Sequence, residues 1–175
     1  MTPDSLLFHK RQIQERLRSL ELPYTLYYTG WFSDYDFIPP FGFDAANKTL
    51  NIVGDGTQKI SFTRRPDVAQ FVAYTITHLP VEQLKNKTFH VEGDKKTLLE
   101  VKDTFEKVYG GPFTVNHRKI PEVEAIVKEK GAAAFLDFVL LGGAYGTTNL
   151  ETNDNKLVPG FQPLDVEQAL RKHFT

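Results

Sequence analysis

The sequence predicts an α/β fold with a parallel sheet, and three stretches carry that prediction. Residues 9–32, HKRQIQERLRSLELPYTLYYTGWF, read as a helix, a proline stop and an apolar strand. The strand segment is aromatic and β-branched with no charge, the signature of a strand covered on both faces, as in parallel sheets. Helical spacing of apolar residues then recurs between short strand-like runs, which is the alternation of an α/β chain.

Taken in order, Leu6, Ile13, Leu17 and Leu20 fall within about 40° of one direction at about 100° per residue, so this face of the first helix is expected to be core. The helix stops before Pro23, because the residue preceding proline avoids the α region. Residues 24–29 form the strand. Residues 30–43 set Trp31, Phe32, Tyr35, Phe37, Phe41 and Phe43 among polar residues and prolines, a long aromatic loop. Residues 49–53 and 59–63 flank Gly54-Asp55-Gly56 and predict an antiparallel pair joined by a glycine turn. Val68, Val72, Ile76 and Leu79 keep helical spacing behind Pro66 and Asp67, predicting a helix to about His78. Residues 88–91 predict another strand. Thr97-Leu98-Leu99-Glu100 is a capping box opening a helix that ends at Tyr109, before Gly110-Gly111. A strand over 113–117 follows, then helices over 121–130, 132–141 and 165–173, with no linker, repeat or low-complexity tract.

Composition narrows the function classes. The chain has 175 residues, 41% of them hydrophobic, enough for a core of ordinary size. Its 21 Lys and Arg balance 22 Asp and Glu, so no basic face points to nucleic acid and no charge asymmetry points to a membrane surface. Cysteine is absent, which excludes disulfides, thiolate nucleophiles and cysteine-based zinc sites. The longest apolar stretch, residues 131–146, contains Asp137 and is shorter than the roughly 20 residues of a membrane span. A soluble, cytoplasmic protein is expected. Two N-x-T patterns, at Asn47 and Asn86, carry meaning only in a secreted chain and are read as chance.

Lys10 is the residue that stands out. It projects onto the apolar stripe between Leu6 and Ile13, whereas Arg11, Gln14, Glu15 and Arg18 point elsewhere. Its methylenes could pack on the stripe while the ammonium reaches solvent, or it could be a catalytic or cofactor-positioning lysine; position alone leaves both open. The five histidines show no paired metal-binding spacing, and no metal site is expected. Neither Gly54-Asp55-Gly56 nor the glycines from 142 to 146 form a phosphate-binding fingerprint. Ser33 and Ser61 lack a nucleophile-elbow pattern.

Four stretches in order carry a resemblance: Lys10 with its helix and LPYTLYYTGWFSDY, then NIVGDGTQKISFTRRPDVAQFVAYTI, NKTFHVEGDKKTLLEVKDTFEKVYG and AYGTTNLETNDNKLVPGFQPLDVEQAL. Over most of its length the chain resembles the NmrA-like and isoflavone reductase-like family of atypical short-chain reductases, particularly its fungal members.

The resemblance implies an incomplete Rossmann-like parallel sheet, its later strands only, with a small α+β substrate-side domain. Residues 1–46 would hold the end of the nucleotide-binding part and 47–175 mostly the substrate side. Active members of the family transfer hydride from NADPH to aromatic or phenylpropanoid-type small molecules. Lys10 matches the family's acid/base lysine; Leu6 stands four residues before it, so the Tyr-x-x-x-Lys pair of ordinary short-chain dehydrogenases is absent. Thr29, Gly30 and Phe32 match the cofactor-bordering segment, Gly30 standing where a number of relatives carry Asn, and Trp31, Tyr35 and Phe37 are the substrate-side candidates. The family's opening strand, glycine fingerprint and helix have no counterpart here. NADP(H) binding is therefore expected to be weak or absent. The strand at 24–29 is expected to leave an open edge, covered by a second copy or by the missing amino-terminal half. The alternative is a non-catalytic regulatory or ligand-binding module.

Overall fold

The computed structural model describes residues 8–174, with side chains described from Lys10 onward. The chain is mixed α/β, as expected, with eight short strands in three small sheets. It opens with α1 (Phe8–Ser19), which closes through a turn at Glu21, φ 53°, where the Leu22 N–H donates to the Leu17 carbonyl. β1 (Thr25–Tyr28) follows and pairs in parallel with β6 (Lys87–His90), from Thr25 opposite Lys87 to Tyr28 opposite His90. One face of this pair packs on α2 (Arg65–His78): the rings of Tyr27, Phe71 and Phe89 meet edge to face or tilted, and Phe71, Phe89, Val91 and Val158 form a small core.

The two outer edges of the β1–β6 pair differ. The edge of β6 is closed by the segment carrying Asp154 and Asn155. The His90 N–H donates to Asp154 Oδ2 and the Asp154 N–H returns to the His90 carbonyl, both at 2.8 Å. Asn155 accepts from the Glu92 N–H and donates to the Glu92 carbonyl. Along β1 no second strand pairs among the described residues.

The expected core face of α1 is not core. Leu17 is half-buried, but Ile13 is 61% and Leu20 48% exposed, and Lys10 is exposed with them. Leu6 lies outside the described residues. The periodicity identified an amphipathic helix correctly; what it could not supply was a surface for the apolar face to meet.

A second correction concerns Gly54-Asp55-Gly56. The flanking strands β4 (Thr49–Val53) and β5 (Lys59–Thr63) form, but they do not pair. β4 lies between β3 (Phe43–Asp44), antiparallel, and β8 (Thr114–Arg118), parallel. β5 lies between β2 (Trp31–Phe32), parallel, and β7 (Asp94–Thr97), antiparallel. The turn diverts them because its backbone is spoken for elsewhere: the Gly54 N–H continues the ladder to the Arg118 carbonyl, and the Gly56 carbonyl accepts the Leu99 N–H. β7 and the four-residue α3 (Val81–Leu84) carry no sequence signal strong enough to have been expected.

The main core lies between the two three-stranded sheets and the helices α4 (Leu98–Tyr109), α5 (Ile120–Lys130), α6 (Phe135–Ala144) and α7 (Val166–His173). Its centre is aromatic: Phe37 meets Phe43, Phe62 and Phe105 at centroid distances of 5.0–5.6 Å. α2 forms where expected, and its buried face is Asp67, Phe71 and Thr75, one residue behind Val68, Val72 and Ile76, whose spacing marked the helix; Ile76 is exposed. The polar members are satisfied, Asp67 by Arg64 and by the Leu164 N–H and Thr75 by the Tyr27 hydroxyl. The loop over 30–43 contains β2 and a 3₁₀ turn at Pro39–Phe41. No helix among the described residues is long and apolar enough to cross a membrane.

The capping box is present in full. Thr97 Oγ1 accepts the Glu100 N–H at 3.1 Å and Glu100 Oε2 accepts the Thr97 N–H at 2.6 Å. Thr97→Ala removes one of these bonds at the helix that carries Phe105, and urea unfolding should register a loss of about 1 kcal/mol.

Candidate functional site

The parallel strands β1 and β6 end together, and the residues beyond their carboxyl ends form the candidate site, where open α/β sheets place their ligand crevices. Thr29 and Gly30 carry the chain from β1 into the second sheet. The Thr63 hydroxyl lies 2.7 Å from the Thr29 carbonyl and 2.8 Å from the Val91 carbonyl, sharing its hydrogen between the two strand ends. Gly30 has φ 65° and passes so close to β5 that a Cβ there would lie 2.0 Å from the Ser61 carbonyl oxygen. Position 30 therefore presents backbone only, and an Asn side chain has no room in this arrangement.

The following residues stand on different surfaces. Trp31 and Phe37 are buried and both rings pack on Phe62, which makes them core residues in this structure. Phe32 is half-buried, and its N–H donates to Asp36 Oδ2 at 2.6 Å. Tyr35 is exposed, with the Arg65 guanidinium 4.7 Å above its ring; Arg65 is held in turn by Asp34 at 3.0 Å. Lys10 is exposed on α1.

Three groups here were not singled out by the sequence. Asp36 is a buried acid whose pKa burial pushes up to about 6, against the pull of the Phe32 N–H; nearby Asp34 adds to the rise and Arg65 opposes it. Glu92 accepts the Ser61 hydroxyl, which accepts the Leu150 N–H, while Lys95 donates to the Leu150 carbonyl; this clasp holds the segment after α6 against β5. Third, the rings of Tyr28 and His90 stack at the last strand pair. A DYD triplet, a serine in an apolar strand and a lone histidine carry no spacing that would have marked them. Trp31 Nε1, Ser33 Oγ and Thr148 Oγ1 are buried without a hydrogen-bond partner among the described residues.

Thr29, Gly30 and Phe32 offer a backbone-lined border at the strand ends, but the chain contains no glycine fingerprint between strand and helix to hold a pyrophosphate. Among the described residues no group of three or more His, Cys, Asp or Glu side chains is arranged to hold a metal ion.

No protein-family model and no curated protein matches the chain. Solved structures do, and they show the fold. Isoflavone reductase superposes with a TM-score of 0.80 at 19% identity, covering 98% of this chain and 60% of its own. The leucoanthocyanidin reductase–NADPH complex from Vitis vinifera gives 0.78 at 16%, covering 99% and 60%. AtPrR2 with NADP+ and (+)pinoresinol gives 0.78 at 21%, covering 99% and 59%. The fold is thus that of the isoflavone reductase-like structures, as the resemblance implied, and the chain spans less than two thirds of the length of each of these structures.

Two substitutions test this geometry. Gly30→Ala drives a methyl group into the Ser61 carbonyl at a positive φ and should lower stability by about 3 kcal/mol or more, or abolish folding, read as the thermal midpoint. Asp36 has a folded pKa above its unfolded value, so the folded state binds the extra proton and stability falls as pH rises from about 4 to about 6. Asp36→Asn keeps an acceptor for the Phe32 N–H and should remove that slope, up to about 3 kcal/mol across the window, in urea unfolding at stepped pH.

Proposed function

We propose that this chain is the substrate-side portion of an NAD(P)H-dependent reductase acting on aromatic or phenylpropanoid-type small molecules, and that it is inactive alone. The observation that carries the proposal is the junction at Thr29–Gly30: a parallel strand pair ends at a backbone-only border followed by an aromatic loop, in a fold shared with structures holding NADPH or NADP+. Residues 1–46 are taken as the end of the nucleotide-binding part and 47–175 as mostly the substrate side, with β6 returning to pair with β1. Lys10 is the proposed acid/base residue; Thr29, Gly30 and Phe32 the cofactor border; and Trp31, Tyr35 and Phe37 the substrate-side residues, Trp31 and Phe37 acting by shaping the wall from the core.

A reduced nicotinamide supplies the hydride in such a reaction; this chain's share is to border it and to shape the pocket. The edge of β1, which no second strand pairs among the described residues, and the exposed Ile13 and Leu20 on α1 support a second element of the proposal. The occupant proposed for that surface is a parallel strand–helix unit carrying the pyrophosphate site, and the part of the solved structures beyond this chain's span provides the length for it. Two copies of this chain would instead bring together two α1 helices, each bearing Lys10, Arg11, Arg16 and Arg18 against Glu15.

Calorimetric titration of the purified chain with NADPH, with NADH for comparison, tests the cofactor element. A dissociation constant well above the low micromolar range is expected, because the phosphate-cradling amides are missing. Tight binding at one site per chain would overturn it. Light scattering on the same sample should find a monomer, and a dimer would assign the open edge to a second copy.

A further inference from the structure

The Tyr28–His90 pair is the most organised exposed feature at the carboxyl end of the sheet. The two residues are the last in-register partners of β1 and β6. Side chains alternate along a strand, and Tyr27 and Phe89 fill the face toward α2, so Tyr28 and His90 lie on the opposite face. Their rings stack at 5.7 Å with 28° between planes, and Tyr28 is 44% exposed. A carboxylate also lies beside the imidazole. Asp154 Oδ2, which accepts the His90 backbone N–H, lies 3.8 Å from His90 Nδ1. That separation is an electrostatic contact, longer than a hydrogen bond, and it favours the tautomer with its proton on Nδ1, which leaves Nε2 as an acceptor.

We propose that Tyr28 and His90 form a subsite for the planar aromatic ring of the ligand, with His90 Nε2 accepting a hydrogen bond from a phenol hydroxyl on that ring and Asp154 as the positioning residue. This rests on the substrate-side reading above and names the ligand chemistry at its edge. Two stacked rings on a rigid strand pair offer a third ring a preorganised flat surface at little cost in side-chain entropy. The subsite adjoins Thr29 and Gly30 by one and two residues along the chain, which puts it beside the proposed cofactor border.

The test uses the full chain, the probe 4-hydroxyacetophenone and no nucleotide. Ring resonances of all five histidines are followed by nitrogen–proton correlation NMR during the titration. The His90 signals should shift saturably while those of His78, His117 and His173 stay fixed. Tyr28→Ala should weaken the apparent dissociation constant about fivefold, and Tyr28→Phe should restore it. His90→Phe keeps a stacking ring and removes the polar atom, so it should bind 4-hydroxyacetophenone more weakly than the parent chain does, with an unchanged His117 signal reporting an intact fold. A silent His90 up to the solubility limit of the probe, or equal affinity in the parent, Tyr28→Ala and His90→Phe chains, would overturn the subsite. Because nucleotide is absent, a silent His90 leaves the reductase reading standing. A responsive His90 in a protein that fails to turn over when its nucleotide-binding part is supplied removes the reductase reading and leaves the subsite.

Discussion

The structure hinges on one crossing, where the chain leaves β1 at Thr29–Gly30 and passes against the backbone of β5. Two features fix it. The close approach of Gly30 to the Ser61 carbonyl excludes a side chain, and the buried Thr63 hydroxyl ties the ends of β1 and β6 to the end of β5. Ser61 itself, through its hydroxyl, belongs to the clasp that seats Leu150. Four chain segments far apart in sequence, around residues 29, 62, 91 and 150, are thereby brought to one place. The cost of disturbing the crossing is high because it is made of backbone contacts and buried hydrogen bonds, which have no rotamer to relax into.

That crossing also explains why the polar groups near it take the forms they do. Asp36 is buried beside the loop because the Phe32 N–H leaves the β2 ladder and needs an acceptor; the carboxylate meets that need while its own desolvation raises its affinity for a proton. Asp34, its side chain covered by its partners, accepts the Arg65 N–H at 2.9 Å and holds the Arg65 side chain over Tyr35. Two aspartates two residues apart therefore do different work, one satisfying the backbone inside and the other fastening the loop to the start of α2.

Local signals in the sequence were legible where a single element suffices to explain them. The capping box at Thr97, the glycine stop at Gly110 and the proline stop before Pro23 each depend on neighbours within a few residues, and each stands as expected. What failed to be legible was pairing. The glycine turn at 54–56 has hairpin chemistry, yet its strands enter different sheets, because the partners on β8 and β7 lie about 65 and 35 residues further on and compete for the same edges. The buried face of α2 lies one residue behind its apolar spacing for a similar reason. Asp67 and Thr75 could be buried only because Arg64, Leu164 and Tyr27 satisfy them, and a polarity count has no access to those partners. At the site, a glycine, an aromatic loop and a lysine were visible, whereas Asp36 and the Tyr28–His90–Asp154 group depend on residues brought together by the fold.

The exposed stripe of α1 bears directly on the proposed chemistry. A helix of 12 residues has marginal stability by itself in water, and most of a protein helix's stability comes from packing its apolar face. Here Ile13 and Leu20 face solvent, and at the carboxyl end of α1 Arg18 donates to the Tyr24 hydroxyl at 3.2 Å. Lys10 sits about two turns away from that contact. An acid/base group is useful only if it is held to within a fraction of an ångström of its target, so the proposed role of Lys10 and the proposed occupancy of the open edge are one requirement. The surface that would bury Ile13 and Leu20 would also fix Lys10, whereas the Thr29–Gly30 border is already rigid. On this account the chain carries a preformed substrate-side wall and an acid/base helix that becomes positioned only when its apolar face is covered.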